Sequence, residues 1–192
     1  MKRFPIYDTD AMLAALDADG YAFVSGALPA SLCGESRERI DALEPQHWDE
    51  MHGCRGAARF MDRYLCVFNR DSFWLQFLDR AGVIELAEAA LGADCHVVGL
   101  TAWRSHPGFE GEPLHVDYLP LTWPADALPP SVRVPAFLLT AQFYLNDVDL
   151  DLAPTRVVPG SHRAGRAPRP GEHDWHGRAP EAVLAKAGDA LV

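Results

Sequence analysis

The feature that most restricts the fold is a change in sequence pattern near residue 93. Before that point, apolar residues recur at the spacing of amphipathic helices. After it, short apolar segments alternate with segments rich in proline and glycine, which interrupt regular structure. Helices followed by many short strands are typical of an α+β protein whose β region is a barrel or a sandwich. We therefore predict an α+β fold that is mainly β in its second half.

The predicted elements follow this division. The periodicity predicts helices over 9–19, 30–43 and 81–91. Apolar and β-branched runs predict strands over 21–24, 95–103, 114–118, 134–145 and 155–158. The run 134–145 is long and continuously apolar, so we expect this strand to be buried on both faces. The proline-rich stretch that precedes it, residues 119–131, is predicted to be a long loop.

Composition excludes several classes of function. The formal net charge of −10 disfavours binding to nucleic acid or to an anionic membrane, since both require a basic surface. No apolar run approaches the roughly 18 residues of a membrane span, and the N-terminus lacks the apolar core of a signal peptide. The four cysteines are scattered and indicate reduced thiols. We expect one cytoplasmic domain, with a helix-rich region over residues 1–92 and a β region over residues 93–192.

The pair His115 and Asp117 is the main candidate for chemistry. On the predicted strand 114–118, two residues in positions i and i+2 point to the same face. An imidazole and a carboxylate that converge in this way supply two of the three ligands of a 2-His-1-carboxylate site, which holds non-haem Fe(II) with open positions. The alternative is a solvent-exposed pair without a metal. We predict that His115 and Asp117 are both catalytic residues and metal ligands.

The order of several motifs resembles the phytanoyl-CoA dioxygenase-like family of Fe(II)- and 2-oxoglutarate-dependent oxygenases. The resemblance covers nearly the whole chain. Its marks are Asp19-Gly20-Tyr21-Ala22-Phe23-Val24, Ala89-Ala90-Leu91-Gly92, His115-Val116-Asp117, Pro159-Gly160-Ser161-His162 and Gly188-Asp189. The Pro-Gly-Ser-His element after a His-x-Asp pair is the most specific of them.

The resemblance implies a fold and a set of cofactors. It implies a double-stranded β-helix, the cupin-like jelly roll, with N-terminal helices packed on one sheet. It also implies Fe(II), 2-oxoglutarate as cosubstrate and O2, with iron held by His115 and Asp117. Thr140 and Gln142 fall where relatives place groups that contact 2-oxoglutarate. Both would lie on one face of the 134–145 strand as buried polar groups, where they need partners. Those partners are either the cosubstrate or neighbouring protein groups.

The third iron ligand is not evident in the sequence. The resemblance implies a distal histidine after the Gly188-Asp189 turn, followed by an arginine that pairs with 2-oxoglutarate, and the chain ends at Val192 before both. We expect the sequence to belong to a longer protein; a naturally shortened, inactive relative is the alternative. His162, His173 and His176 are further candidates, each of which is also explained as a surface or packing residue.

The resulting functional hypothesis is an oxygenase of small-molecule metabolism. The enzyme would hydroxylate a small metabolite and decarboxylate 2-oxoglutarate to succinate. The first alternative is a non-catalytic jelly-roll binding or scaffold protein that has lost the complete iron site. A cupin-type metal isomerase or hydrolase, which would turn over without 2-oxoglutarate or O2, is a further alternative. The substrate itself does not follow from the sequence.

Overall fold

The computed structural model describes residues 1–46, 50–51, 54–56, 59–119 and 135–192. Within these ranges lie three α-helices, α1 Thr9–Asp19, α2 Ala30–Asp41 and α3 Ile84–Leu91. Ten short strands accompany them: β1 Arg3–Pro5, β2 Phe23–Ser25, β3 Glu50–Met51, β4 Cys54–Arg55, β5 Met61–Tyr64, β6 Ala102–Ser105, β7 Gln142–Phe143, β8 Arg156–Val157, β9 Glu181–Ala182 and β10 Ala190–Leu191. The mixed helix and strand content agrees with the predicted α+β class.

The helices form where local sequence signals predict them. Helix α1 begins after Asp8, whose carboxylate accepts a hydrogen bond from the Ala11 N–H at 3.3 Å. It ends at Gly20, which has a φ of 86° and donates its N–H to the Leu16 carbonyl oxygen at 3.0 Å. A positive φ of this kind favours glycine, so the end of α1 follows from the local sequence.

A four-stranded sheet in the order β1-β2-β10-β7 forms the centre of the described structure. β1 runs parallel to β2, and β10 runs antiparallel to both β2 and β7. Because side chains alternate across a sheet, its two faces have separate cores. One face packs against α1 and α3 through Phe4, Val24, Ala190, Met12 and Leu86. The opposite face carries Phe23, Leu191, Tyr144 and Val183.

A second element, the β5–β6 ribbon, leads into the segment that carries His115 and Asp117. In this antiparallel pair Asp62 faces Arg104, and Arg63 faces Trp103. Tyr64 is buried against helix α2, on one face of the ribbon. Arg63 and Trp103 therefore lie on the other face, and the chain continues from β6 into residues 106–119.

Several predicted strands are wrong. Residues 114–118 form no strand, and of the predicted strand 95–103 only its last two residues belong to β6. Of the predicted strand 134–145, the described residues 135–145 form a strand only at Gln142–Phe143, and residues 135–138 are exposed. A strand requires a neighbour that pairs with its backbone, and within the described ranges no segment pairs with residues 135–141. The predicted loop 119–131 lies outside the described residues, apart from residue 119.

Candidate metal site

His115 and Asp117 lie side by side although their segment is irregular. The His115 Nε2 atom is 3.2 Å from the Asp117 Oδ1 atom. The predicted convergence of the two side chains is therefore present, whereas the predicted strand that was to produce it is not. Residues two apart remain close in an irregular segment as well, provided that both side chains turn to the same side.

A backbone hydrogen bond determines which nitrogen of His115 is available to a metal. The Nδ1 atom is 2.8 Å from the Pro113 carbonyl oxygen, which can only accept a hydrogen bond. Nδ1 therefore carries hydrogen and donates, so that the Nε2 atom faces Asp117. A hydrogen bond of this type fixes ring orientation and tautomer in metal-binding histidines. The hydrogen bond to Asp117 raises the pKa of His115, although burial of the ring opposes this.

The geometry of the two side chains fits two ligands of one divalent ion. An octahedral ion with bonds of about 2.1 Å places neighbouring ligand atoms about 3.0 Å apart. The observed Nε2 to Oδ1 distance of 3.2 Å is close to that spacing. Loss of the Nε2 proton on metal binding would leave the Nδ1 hydrogen bond to Pro113 intact. His115 and Asp117 therefore fit the residues that would hold Fe(II), while two ligands alone do not complete a site.

A third ligand is absent from the described ranges. Among these residues, no group of three or more His, Cys, Asp or Glu side chains is arranged to hold a metal ion. The His162 Nε2 atom is 3.2 Å from the Asp17 carbonyl oxygen, and its ring packs on Gly20. Burial of this ring lowers the pKa of His162. His173 and His176 are exposed, and the His176 ring contacts Trp175.

The two residues predicted to contact 2-oxoglutarate lie at β7. Gln142 belongs to that strand and Thr140 precedes it by two residues, and both are exposed, so the burial expected for them is wrong. The Gln142 Nε2 atom donates a hydrogen bond to Thr155 Oγ1 at 3.0 Å. This is the neighbouring-group partner that the sequence left open as an alternative. Whether Thr140 and Gln142 contact a cosubstrate stays a prediction.

Sequence reasoning missed Glu112 and Arg63. The Glu112 Oε2 atom is 3.6 Å from His115 Nε2. The Arg63 guanidinium interacts electrostatically with Glu112 and is stacked 4.3 Å from the centre of the Trp103 ring. Burial lowers the pKa of Arg63, and the Glu112 carboxylate partly offsets that effect. The only signal in the sequence was the spacing of three residues between Glu112 and His115. This spacing brings side chains together in a helix, but it predicts no contact in an irregular segment.

Comparison with known proteins identifies the family. The family model for phytanoyl-CoA dioxygenase (PhyH) matches residues 16–192. The chain therefore belongs to the phytanoyl-CoA dioxygenase family, as the motifs predicted. Members of this family use Fe(II), 2-oxoglutarate and O2, which agrees with the predicted cofactors. A comparison with curated proteins gives no match.

Two solved structures of the epimerase SnoN resemble the described fold. The first, in complex with Fe3+, alpha ketoglutarate (2-oxoglutarate) and nogalamycin RO, has a TM-score of 0.65 and 19% identity, covering 95% of this chain and 72% of that chain. The second, the non-haem alpha ketoglutarate-dependent SnoN from nogalamycin biosynthesis, has a TM-score of 0.61 and 18% identity, covering 95% and 71%. At this identity the likeness concerns the fold.

None of the helices in the described ranges combines the length and the apolar character that a membrane span requires.

Proposed function

We propose that the protein is an Fe(II)- and 2-oxoglutarate-dependent oxygenase that hydroxylates a small molecule. The observation that carries the proposal is the His115 Nε2 atom at 3.2 Å from Asp117 Oδ1, with the ring fixed from behind by Pro113. Membership of the phytanoyl-CoA dioxygenase family supports the same chemistry. The formal net charge of −10 favours a small-molecule substrate over nucleic acid.

Each residue has a defined role in this proposal. His115 and Asp117 hold the iron, and the Pro113 carbonyl keeps the His115 ring turned so that Nε2 faces the ion. Thr140 and Gln142 contact 2-oxoglutarate, for which Gln142 exchanges its hydrogen bond to Thr155. When bound, Fe(II) with 2-oxoglutarate activates O2 for attack on a substrate C–H bond, and 2-oxoglutarate becomes succinate.

The proposal includes the jelly-roll architecture and a single domain over 1–192. One face of the β1-β2-β10-β7 sheet is covered by α1 and α3, as expected for helices packed on one sheet of such a fold. The opposite face carries Tyr144, and Gln142, which pairs with Leu191, lies on that face as well. The likeness to SnoN over 95% of the chain supports this assignment.

Epimerisation is a second candidate function. Both similar structures are of SnoN, which is described as an epimerase that depends on alpha ketoglutarate. Hydroxylation and epimerisation at carbon both require that a C–H bond be broken, and they differ in whether oxygen is then inserted. The residues that hold iron would be the same for the two outcomes.

The deciding experiment is an anaerobic titration of the purified protein with Fe(II) and 2-oxoglutarate. A visible charge-transfer band that requires both components is expected, together with succinate formation once O2 is admitted. Asp117→Ala should abolish both, whereas Asp79→Ala, which removes a largely exposed carboxylate, should leave them unchanged. Succinate formation retained in Asp117→Ala would refute the ligand assignment.

The same preparation separates the candidate functions. With a turned-over substrate, incorporation of one atom from labelled O2 supports hydroxylation, and an unchanged molecular formula supports epimerisation. A folded protein that shows no band would support a binding protein without an iron centre. Metal-dependent turnover without 2-oxoglutarate or O2 would indicate an isomerase or hydrolase.

A further inference from the structure

Glu112 is a charged side chain that lacks a full set of partners. Its side chain is 15% exposed, and its Oε1 atom is buried without a hydrogen-bond partner in the described ranges of the chain. Most buried polar atoms in native proteins have a partner, because an unpaired one loses its hydration without compensation. A bound ion or water is a common reason for an exception. The position of Glu112 therefore favours a positively charged neighbour.

Glu112 approaches His115 on its metal-binding side. The Glu112 Oε2 atom lies 3.6 Å from Nε2, whereas Nδ1 donates its hydrogen to Pro113. Asp117 approaches the same Nε2 atom at 3.2 Å. Two carboxylates thus face the atom that would bind the ion; Glu112 precedes His115 in the sequence and Asp117 follows it.

The surroundings hold Glu112 in that place. Arg63 lies close enough for its charge to interact with the Glu112 carboxylate, and it is stacked on the Trp103 ring at 4.3 Å. Arg63 and Trp103 face each other across the β5–β6 ribbon, which is a regular antiparallel pair. The ribbon therefore places the positive charge of Arg63 near Glu112.

We propose that the Glu112 carboxylate, 3.6 Å from the His115 Nε2 atom, raises the affinity of the site for a divalent cation through its negative charge. This inference rests on the proposed function of His115 and Asp117. The three side chains do not form a ready set of ligands among the described residues. Glu112 therefore acts through its charge rather than as a fixed ligand.

The test is a titration of the purified protein with Co(II) alone, followed by visible absorption, which reports metal affinity independently of catalysis. Glu112→Gln keeps the shape and removes the charge, and it should weaken Co(II) binding by about 10-fold, because it removes one unit of negative charge beside the bound cation. Glu110→Gln is the matched control, because it removes an exposed carboxylate from the same segment. Glu112→Asp keeps the charge and should bind Co(II) more tightly than Glu112→Gln.

Each outcome supports or overturns the inference. Glu112→Gln with the affinity of Glu110→Gln would overturn it while leaving the proposed function intact. Glu112→Asp that binds no more tightly than Glu112→Gln would also overturn it. If Glu112→Gln fails to fold, Glu112→Asp is compared with Glu110→Gln. Because Glu112→Asp keeps the charge, Co(II) binding more than about 10-fold weaker than that of Glu110→Gln would contradict a role of the charge. Absence of Co(II) binding by the unmodified protein would overturn this inference, whereas the anaerobic titration with Fe(II) and 2-oxoglutarate tests the proposed function separately.

Discussion

The contact between the Gly188 turn and the start of α2 gives a stability prediction that can be worked out from the structure. Gly188 has a φ of 97°, and a Cβ atom at this position would lie 2.5 Å from the Leu28 carbonyl oxygen. The Leu28 N–H in turn donates to the Gly188 carbonyl oxygen at 2.9 Å. In Gly188→Ala, the backbone strain costs about 1–2 kcal/mol. Displacement of Leu28 removes a hydrogen bond worth about 1 kcal/mol. We expect a total destabilisation of about 2–3 kcal/mol.

Gly26→Ala is the matched control for this change. Gly26 also has a positive φ, 67°, but no atom lies within 4 Å of its added Cβ. Gly26 lies in the segment that contacts the Gly188 turn, because its N–H donates to Asp189 Oδ1. Only the backbone strain applies, so we expect about 1–2 kcal/mol. Both variants lose glycine's freedom in the unfolded chain, and that effect cancels in the comparison.

Urea denaturation followed by tryptophan fluorescence measures the difference. The midpoint should fall for both variants with an unchanged m-value, and further for Gly188→Ala. In a chain of this size, 1 kcal/mol corresponds to a shift in melting temperature of about 2–4 °C, so Gly188→Ala should melt roughly 4–12 °C lower. The reasoning is refuted if Gly188→Ala is no less stable than Gly26→Ala.

Two further predictions concern stability. Glu172 accepts hydrogen bonds from Arg166, which lowers its pKa from 4.5 to about 2. Because the pKa is lowered in the folded state, this stabilisation is complete above 4.5 and is lost as the pH falls from 4.5 to about 2. Glu172→Gln should therefore reduce the loss of the urea midpoint between neutral and acidic pH; an unchanged loss would contradict the assignment. Trp74, 2% exposed, packs against Phe73 and Phe77. Trp74→Ala should cost about 3–5 kcal/mol in the same assay, and a cost below about 1 kcal/mol would show that this cluster is not a core.

Local signals explain why the helices were predictable. Helix α1 has the predicted bounds because the apolar spacing and Gly20 act within a few residues of one another. The predicted helix 30–43 ends slightly earlier, at Asp41, and the predicted 81–91 begins later, at Ile84. Frayed ends of this size are usual for helices, because end residues lack some of their hydrogen bonds.

The strands were less predictable because pairing is not a local property. The run 134–145 has the composition of a buried strand, but its described residues form β structure only at Gln142–Phe143, where β10 lies alongside. Phe137 and Leu138 are exposed. An apolar pattern states which residues favour burial, and it does not state which segment supplies the hydrogen bonds. The burial expected for Thr140 and Gln142 was wrong for the same reason.

In the candidate site, too, the features that depend on neighbouring residues were predictable and those that depend on distant segments were not. His115 and Asp117 were predictable as a pair, because two residues separated by one position can meet in a strand or in an irregular segment. The orientation of His115 was not predictable, since it depends on the Pro113 carbonyl oxygen at 2.8 Å from Nδ1. The importance of Glu112 was even less accessible. Its electrostatic interaction involves Arg63, which lies far earlier in the chain and belongs to β5, the partner strand of β6. A sequence motif can therefore predict which side chains converge, whereas the charges around them depend on how distant segments pair.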